Sequence, residues 1–286
     1  MDVNQYLSRI GYSGPLEPTL DVLRAVHKCH LHSVPFENLT VHSGGRVTLE
    51  LPLLYGKIVK KNRGGFCYEL NSLFSWLLRE LGFHVTLLSG QVKNEQTGSY
   101  GPPFDHLTLM VSLDGQRWLC DVSFGFRCFL LPLSLETSAP QEQGQRVYHI
   151  RTDTDVRAVM WKPETREDCH WSELYKFTLD PRRLEDFAEM CQYHQSSPCS
   201  LFYCKSICTL LKPSGTLVYI GRRLVSTTFP TMEITTRELK DEEIQGILAE
   251  QFGLVLSSTL TPKDEKVQPQ PGSTGNKWSD DTDVRV

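Results

Sequence analysis

The hydrophobic period of the chain changes at Gly82, and the fold has to accommodate that change. Upstream, Phe66, Leu70, Leu73, Phe74, Leu77, Leu78 and Leu81 recur at three-and-four spacing along one broad stripe, and a similar pattern runs over 19–31. Such spacing buries one face of a helix. Gly82 follows the last of these residues as a natural C-terminal cap. Downstream, FHVTLLSGQV, HLTLMVSL and QRWLCDVSFG alternate with period two, separated by NEQTGSYGPP and by Asp114-Gly115. The β-rich text continues through RVYHIRT and VRAVMWK to about Phe177. A helix entered through Asp180-Pro181 is expected next, then strands near 206–211 and 216–235, and a helix at about 241–252. The final stretch, TPKDEKVQPQPGSTGNKWSDDTDVRV, has no periodicity and reads as a tail that is mobile unless docked.

Composition narrows the function classes. With 286 residues, 40% of them hydrophobic, the chain can build one large core or two to three small ones. A net charge of −4 without a long basic run argues against nucleic acid or an anionic membrane as partner. The opening MDVNQYLSRIGYSG has no cationic leader pattern, and no stretch approaches the roughly 18 apolar residues of a membrane span. A cytoplasmic protein is expected. Nine scattered cysteines fit a reducing compartment with free thiols. No metal site is expected: Cys199, Cys204 and Cys208 lack a CxxC pair, and HKCHLH (27–32) lacks a second cluster at finger spacing.

One cysteine stands apart. In KKNRGGFCYELN, with Asn62 as cap or Gly64-Gly65 as a tight approach, Cys67 falls in the first turn of a helix. Unpaired N–H groups and the helix dipole there favour thiolate. On that ground alone a buried packing cysteine is the simpler reading. The hairpin supplies the second observation. If Asp114-Gly115 is a two-residue turn, Leu113 pairs with Gln116, Thr108 lies opposite Asp121, and His106 opposite Ser123. His106 and Asp121 then share a face as diagonal neighbours about 7–8 Å apart, while Leu107, Leu109, Val111 and Leu113 point the other way. A thiol at a helix start plus this pair are the parts of a Cys-His-Asp triad. A lone His106 would be an ordinary hydrogen-bonded histidine, whereas Asp121, between Cys120 and Val122 in a strand, needs a partner.

RGGFCYELN, DHLTLMV and DVSFG, in this order, resemble the arylamine N-acetyltransferases, as do VPFENL (34–39), the opening MDVNQYLSRIGY and SPCSLFYCKSICTLLKPSG (197–215). The resemblance covers the chain to about residue 262. It implies an α+β fold with a cysteine-protease-like, papain- and transglutaminase-like core. Its parts would be an N-terminal helical bundle (1–82) bearing the nucleophile, a β-barrel (83–190) bearing the triad His and Asp, an α/β lid (191–262) and a polar tail (263–286). It implies Cys67, His106 and Asp121 as catalytic residues, and Glu37 and Arg63 as a charged pair bracing the site. Pro102, Pro103, Ser206 and Lys212 fall at positions near CoA, and Phe36, Phe124 and Asp105 at substrate-binding positions; Phe126 is a further candidate wall. The implied reaction is ping-pong acetyl transfer from acetyl-CoA, a co-substrate rather than a permanently bound cofactor, to arylamines or arylhydrazines in xenobiotic metabolism. A monomer without nucleic-acid or membrane partners is expected.

The chain departs from the vertebrate pattern at Phe66, where Trp is usual. Pro102-Pro103 replaces a Thr-Gly pair, removing N–H donors. Phe126-Arg127 follows the DVSFG glycine. The segment between Val156 and Lys176 looks short, and the tail has no evident match. Two other readings remain: a thiol hydrolase or transglutaminase-like enzyme using the same triad, and a binding protein that keeps the fold without catalysis. The short Cys67–His106–Asp121 spacing and the RGGFC motif favour the transferase, and the intact triad disfavours the binding protein.

Overall fold

The computed structural model describes residues 1–95, 97–154, 159–167 and 170–269. Residues 155–158 of the expected β segment, with the Val156 end of the shortened stretch, and 270–286 of the expected tail lie outside the described residues. The fold is α+β, as expected.

Near the N-terminus, helices Val3–Arg9 and Leu20–Ser33 pack against helix Cys67–Glu80. The Thr19 hydroxyl caps the second by accepting the Val22 N–H at 3.3 Å. The third is buried over most of its surface, including Leu70, Leu73, Phe74, Leu77 and Leu78, so it is the central strut of the largest core. At its end Gly82 takes φ +89°, a left-handed conformation that turns the chain into the first long strand.

That strand, His84–Val92, belongs to an antiparallel sheet ordered Leu133–Ser134, Gln116–Cys120, His106–Leu113, His84–Val92, Tyr175–Phe177, Val159–Glu167, Arg146–Thr154, Gln141–Gln143, with His170–Glu173 attached to Val159–Glu167. Two glutamine side chains join the sheet's ends. Gln141 accepts from Ser134 N–H (2.8 Å) and donates to its carbonyl (3.1 Å), and Gln143 does the same with Leu131 at 2.8 Å. The sheet thus curls into a nearly closed barrel around Leu88, Leu119, Phe129, Leu133, Tyr148, Tyr175 and Phe177.

The His106–Leu113 and Gln116–Cys120 hairpin has the expected register, Leu113↔Gln116 through Leu109↔Cys120. Asp114 and Gly115 both have positive φ (51° and 75°), which matches the twist of the flanking strands in a two-residue turn. Leu107, Leu109 and Val111 pack into the core built on helix Cys67–Glu80, so the barrel wall that follows His106 lies against the helix that follows Cys67.

A second antiparallel sheet runs Phe36–Glu37, Ile207–Lys212, Gly215–Ile220, Arg223–Thr228, Glu233–Glu238, with helix Asp241–Phe252 in its core. Its first strand comes from the stretch expected to be helical. Two residues are too few to show a period, so alternation could not reveal them. The helix expected to start at Asp180-Pro181 instead begins with a 3-10 turn, Leu184–Phe187, and continues as Ala188–Ser196. Asp186 accepts the Arg183 N–H at 2.8 Å and sets that start.

The first part of the expected tail is docked. Ser206 N–H donates to the Lys263 carbonyl (2.9 Å), Glu265 N–H to the Cys204 carbonyl (2.8 Å) and Gln268 N–H to the Pro198 carbonyl (2.9 Å). Lys205, buried, pairs with Asp264. Backbone pairing needs no hydrophobic period, which is why the polar text of 263–269 gave no sign of it.

Candidate active site

The two glycines of RGGFC serve a close approach rather than a helix cap. A Cβ on Gly64 would lie 2.0 Å from the Pro35 carbonyl oxygen, and Glu37 N–H donates to the Gly65 carbonyl at 2.9 Å. Phe66 occupies the cap position, and its N–H is taken by the Glu69 carboxylate at 3.1 Å, so neither Asn62 nor a glycine caps this helix. The same approach buries Glu37 completely. Its Oε1 accepts from Arg63 Nε (3.0 Å), Arg63 Nη2 (2.8 Å) and Gly64 N–H (3.2 Å), and its Oε2 from Leu39 N–H (2.7 Å). Burial pushes this carboxyl up, but the charges of Lys57 and Arg63 and these hydrogen bonds outweigh it and hold the group below the usual range. Lys57 also reaches Glu69 at 2.7 Å, so a compact four-charge cluster sits behind the Cys67 helix.

His106 and Asp121 are both buried, and His106 Nε2 lies 2.6 Å from Asp121 Oδ2. The register of one hairpin is enough to bring them together. Asp121 Oδ1 accepts from Asn71 Nδ2 (2.9 Å), Ser123 N–H (3.0 Å) and the Ser123 hydroxyl (3.1 Å). Burial raises the Asp121 carboxyl, yet His106 and these donors bring it below its ordinary value, so it stays a carboxylate. Nε2 is committed to Asp121, which leaves Nδ1 as the ring nitrogen free to exchange a proton.

Cys67 is 2% exposed, and the Leu107 backbone, one residue beyond His106, is close enough to its sulfur to favour the thiolate. Burial pushes its thiol well above the usual value, and the nearby Asp105 and Asp121 carboxylates add to that. The low thiol pKa expected from the helix start is therefore not found. Desolvation of a fully enclosed sulfur exceeds what one helix terminus and one N–H supply.

Three residues that sequence reasoning passed over hold the site. Asn71, one turn after Cys67, donates to Leu107 O (2.6 Å) and Asp121 and accepts the Val122 N–H (3.0 Å), tying the helix to both strands. Its i+4 spacing from Cys67 was the available signal. His27, inside the HKCHLH segment weighed only as a metal motif, stacks on Phe129 and accepts the Asp121 N–H on Nε2 at 3.2 Å. Its Nδ1 then donates to the Leu130 carbonyl at 3.0 Å. Phe202 lies between the rings of Phe36 and Phe66, 5.8 Å from each.

The remaining expected residues spread out. Phe124 is partly exposed, its ring 5.3 Å from His106 and 5.1 Å from Tyr175. Phe36 is half-buried in the second sheet, and Phe126 is half-buried beside Gly125. Asp105 accepts the Val92 N–H at 3.2 Å and lies 3.3 Å from His194 Nε2. Pro102 and Pro103 form a lip ahead of it, Pro103 exposed. Lys212 is half-buried at the end of its strand, paired with Gly215. Ser206 is fully buried, its hydroxyl taken up by the Lys263 backbone and Tyr219, which removes it from the surface a CoA contact would need. Among the described residues no group of three or more His, Cys, Asp or Glu side chains could hold a metal ion.

The N-acetyltransferase family profile matches residues 19–261. The chain belongs to the arylamine N-acetyltransferase family. The pineal gland isozyme NAT-10 of Gallus gallus is 34% identical over 92% of this chain and 97% of its own, and arylamine N-acetyltransferase 1 of Homo sapiens is 33% identical over the same shares. Among solved structures, the arylamine N-acetyltransferase of Mycobacterium abscessus superposes with a TM-score of 0.83 at 29% identity, covering 90% of this chain and 91% of that one. The Mycobacterium marinum enzyme in complex with CoA gives 0.80 at 29% identity, covering 88% and 93%. This family member is an acyltransferase. No helix among its described residues is long and apolar enough to cross a membrane.

Proposed function

We propose that this acyltransferase moves an acetyl group from acetyl-CoA to an arylamine or arylhydrazine through a Cys67 acetyl-thioester, with His106 and Asp121 completing the triad. The observation that carries this reading is the buried His106–Asp121 pair at 2.6 Å, which Asn71 ties to the helix that begins at Cys67. A fully buried thiol cannot shed its proton to water at moderate cost, so the proton goes to His106 Nδ1 and the resulting imidazolium is stabilised by Asp121. The thiolate attacks the acetyl carbonyl, the CoA thiolate departs and takes the proton back from His106. An unprotonated aromatic amine then attacks the thioester carbonyl while His106 accepts its proton, and Cys67 leaves as thiolate. Amide is more stable than thioester, so the second half runs downhill. CoA as ligand is supported by the complex of the Mycobacterium marinum relative. Phe36, Phe124 and Phe202, each partly exposed, are aromatic surfaces for a flat acceptor.

The test is brief incubation with acetyl-CoA alone, followed by mass analysis of the peptide holding Cys67. One acetyl group is expected there and none in Cys67→Ser. Absence of the adduct at every pH where the protein is folded would sink the proposal, and cleavage of peptide substrates would favour a hydrolase instead.

A further inference from the structure

The second sheet ends in a strand that its own chain leaves uncovered. Glu233–Glu238 is the outermost strand, paired on one side with Arg223–Thr228, from Glu238↔Arg223 to Glu233↔Thr228. All six of its side chains are exposed, Ile234 at 53%, whereas the strands Ile207–Lys212, Gly215–Ile220 and Arg223–Thr228 each bury at least half of theirs. Among the described residues no backbone hydrogen bond closes its outer side. Arg237 reaches Glu243 of helix Asp241–Phe252, while Glu233 has no ion-pair partner among the described residues.

A strand that buries no side chain gains little from its own chain beyond one backbone ladder. Its centre, Ile234-Thr235-Thr236, is nevertheless β-branched throughout and favours extended structure. The open edge offers a row of N–H and C=O groups that another strand can complete. Charges on an edge ordinarily repel such a partner, but their order here selects one. Run antiparallel to itself about a two-fold axis through Thr235, the strand sets Glu233 opposite Arg237 of a second copy, twice over by symmetry. On the other face Ile234 then meets Thr236. An axis between Thr235 and Thr236 would instead set Glu233 against Glu238, and an axis through Thr236 would set Ile234 against Glu238. A parallel partner in register would place Glu233 beside Glu233 and Arg237 beside Arg237. With the axis at Thr235, Arg237 lies between Glu243 of its own helix and Glu233 of the second copy, and its five N–H donors can serve both.

We infer that Glu233–Glu238 is a self-association edge, at which two copies of the chain join their second sheets into one continuous antiparallel sheet about Thr235. The opposite edge of the sheet, Phe36–Glu37, carries the contact with Arg63 and Gly65 behind the Cys67 helix, so the join lies on the side away from that helix and is independent of the reaction proposed above. One strand a side makes a small interface. The association is therefore weak and reversible, with a Kd of about 10–100 μM.

Sedimentation velocity on the full chain over about 5 to 500 μM should show a monomer–dimer equilibrium that shifts toward monomer as salt is raised. Glu233→Arg and Arg237→Glu each set like charges opposite one another at both symmetric contacts, and each should weaken the dimer about tenfold or more. The double variant Glu233→Arg/Arg237→Glu restores opposite charges and should recover the association. Both positions are exposed, so urea unfolding of the single variants should match the wild type, which separates loss of association from loss of fold. Thr235→Cys with a short bismaleimide places the axis: the peptide holding position 235 should be recovered linked to its own copy. A monomer at every concentration overturns the inference. So does a dimer that both charge reversals leave intact, a double variant that stays monomeric, or a position 235 that links only to other thiols of the protein.

Discussion

His27 links the triad to protein stability in a way that pH can isolate. Its imidazole is fully buried, and burial pushes its pKa down to about 4, against the opposing pull of the Leu130 carbonyl and the Asp121 charge. In the unfolded chain the same group titrates near 6.5. The unfolded state therefore binds the proton first as pH falls, and the stability that depends on a neutral His27 is complete above about 6.5, drains away through the interval and is gone below about 4. A gap of about 2.5 pH units corresponds to about 3 kcal/mol. The perturbation is His27→Gln, whose amide can still accept from Asp121 N–H and donate to the Leu130 carbonyl but does not titrate. Urea unfolding of both proteins at intervals from pH 7 to 4 should show the wild type losing about 3 kcal/mol more than the variant, with the divergence starting near 6.5. His30, also pushed well below its ordinary value by burial, then Arg9 and then His27, is common to both chains, so all of its contribution except the part owed to His27 cancels in the difference. Parallel curves would show that His27 is not buried neutral and would refute the reasoning.

Asn71→Leu removes the amide that serves Leu107, Asp121 and Val122, leaving buried groups unpaired; a loss of about 3 kcal/mol is expected by urea unfolding. Cys67 acetylation should slow as well, because Asp121 loses a donor, and wild-type stability together with wild-type rate would contradict the clamp. Gly64→Ala forces a Cβ against the Pro35 carbonyl and should cost about 2 kcal/mol or more, whereas Gly246→Ala, at an exposed position of helix Asp241–Phe252, meets nothing within 4 Å and should gain about 0.5–1 kcal/mol. Thermal unfolding of the pair checks both, and similar effects in the two would count against the close approach.

The parts of the proposed triad were legible because each obeys a local rule. Cys67 follows from a stripe and its start, and the distance between His106 and Asp121 follows from the two residues of one turn, which the chain meets with Asp114-Gly115. What stayed hidden is what depends on distant segments. The strand Phe36–Glu37 is too short for any period, the docked residues 263–269 are held by backbone bonds and one buried ion pair rather than by an apolar stripe, and His27 reaches Asp121 across 94 positions of sequence. The thiol was misjudged for a related reason: a helix start is visible in the text, but complete burial of the sulfur belongs to the assembled fold.

That burial changes how the site has to work. A sulfur favoured only by a helix terminus could ionise alone, but in the proposed reaction one raised by desolvation needs a base that is itself held in place. The fixed elements answer that need. Asn71 ties the Cys67 helix to Leu107 and Asp121, His27 holds the Asp121 backbone, and the Glu37–Arg63 pair closes the turn ahead of the helix. Each contact lowers the freedom of the His106–Asp121 pair relative to the sulfur rather than touching the sulfur itself. Removing the charge of Asp121 while keeping its shape, as in Asp121→Asn, should therefore leave the scaffold standing and slow acylation, since the imidazolium that carries the thiol proton loses its counter-charge.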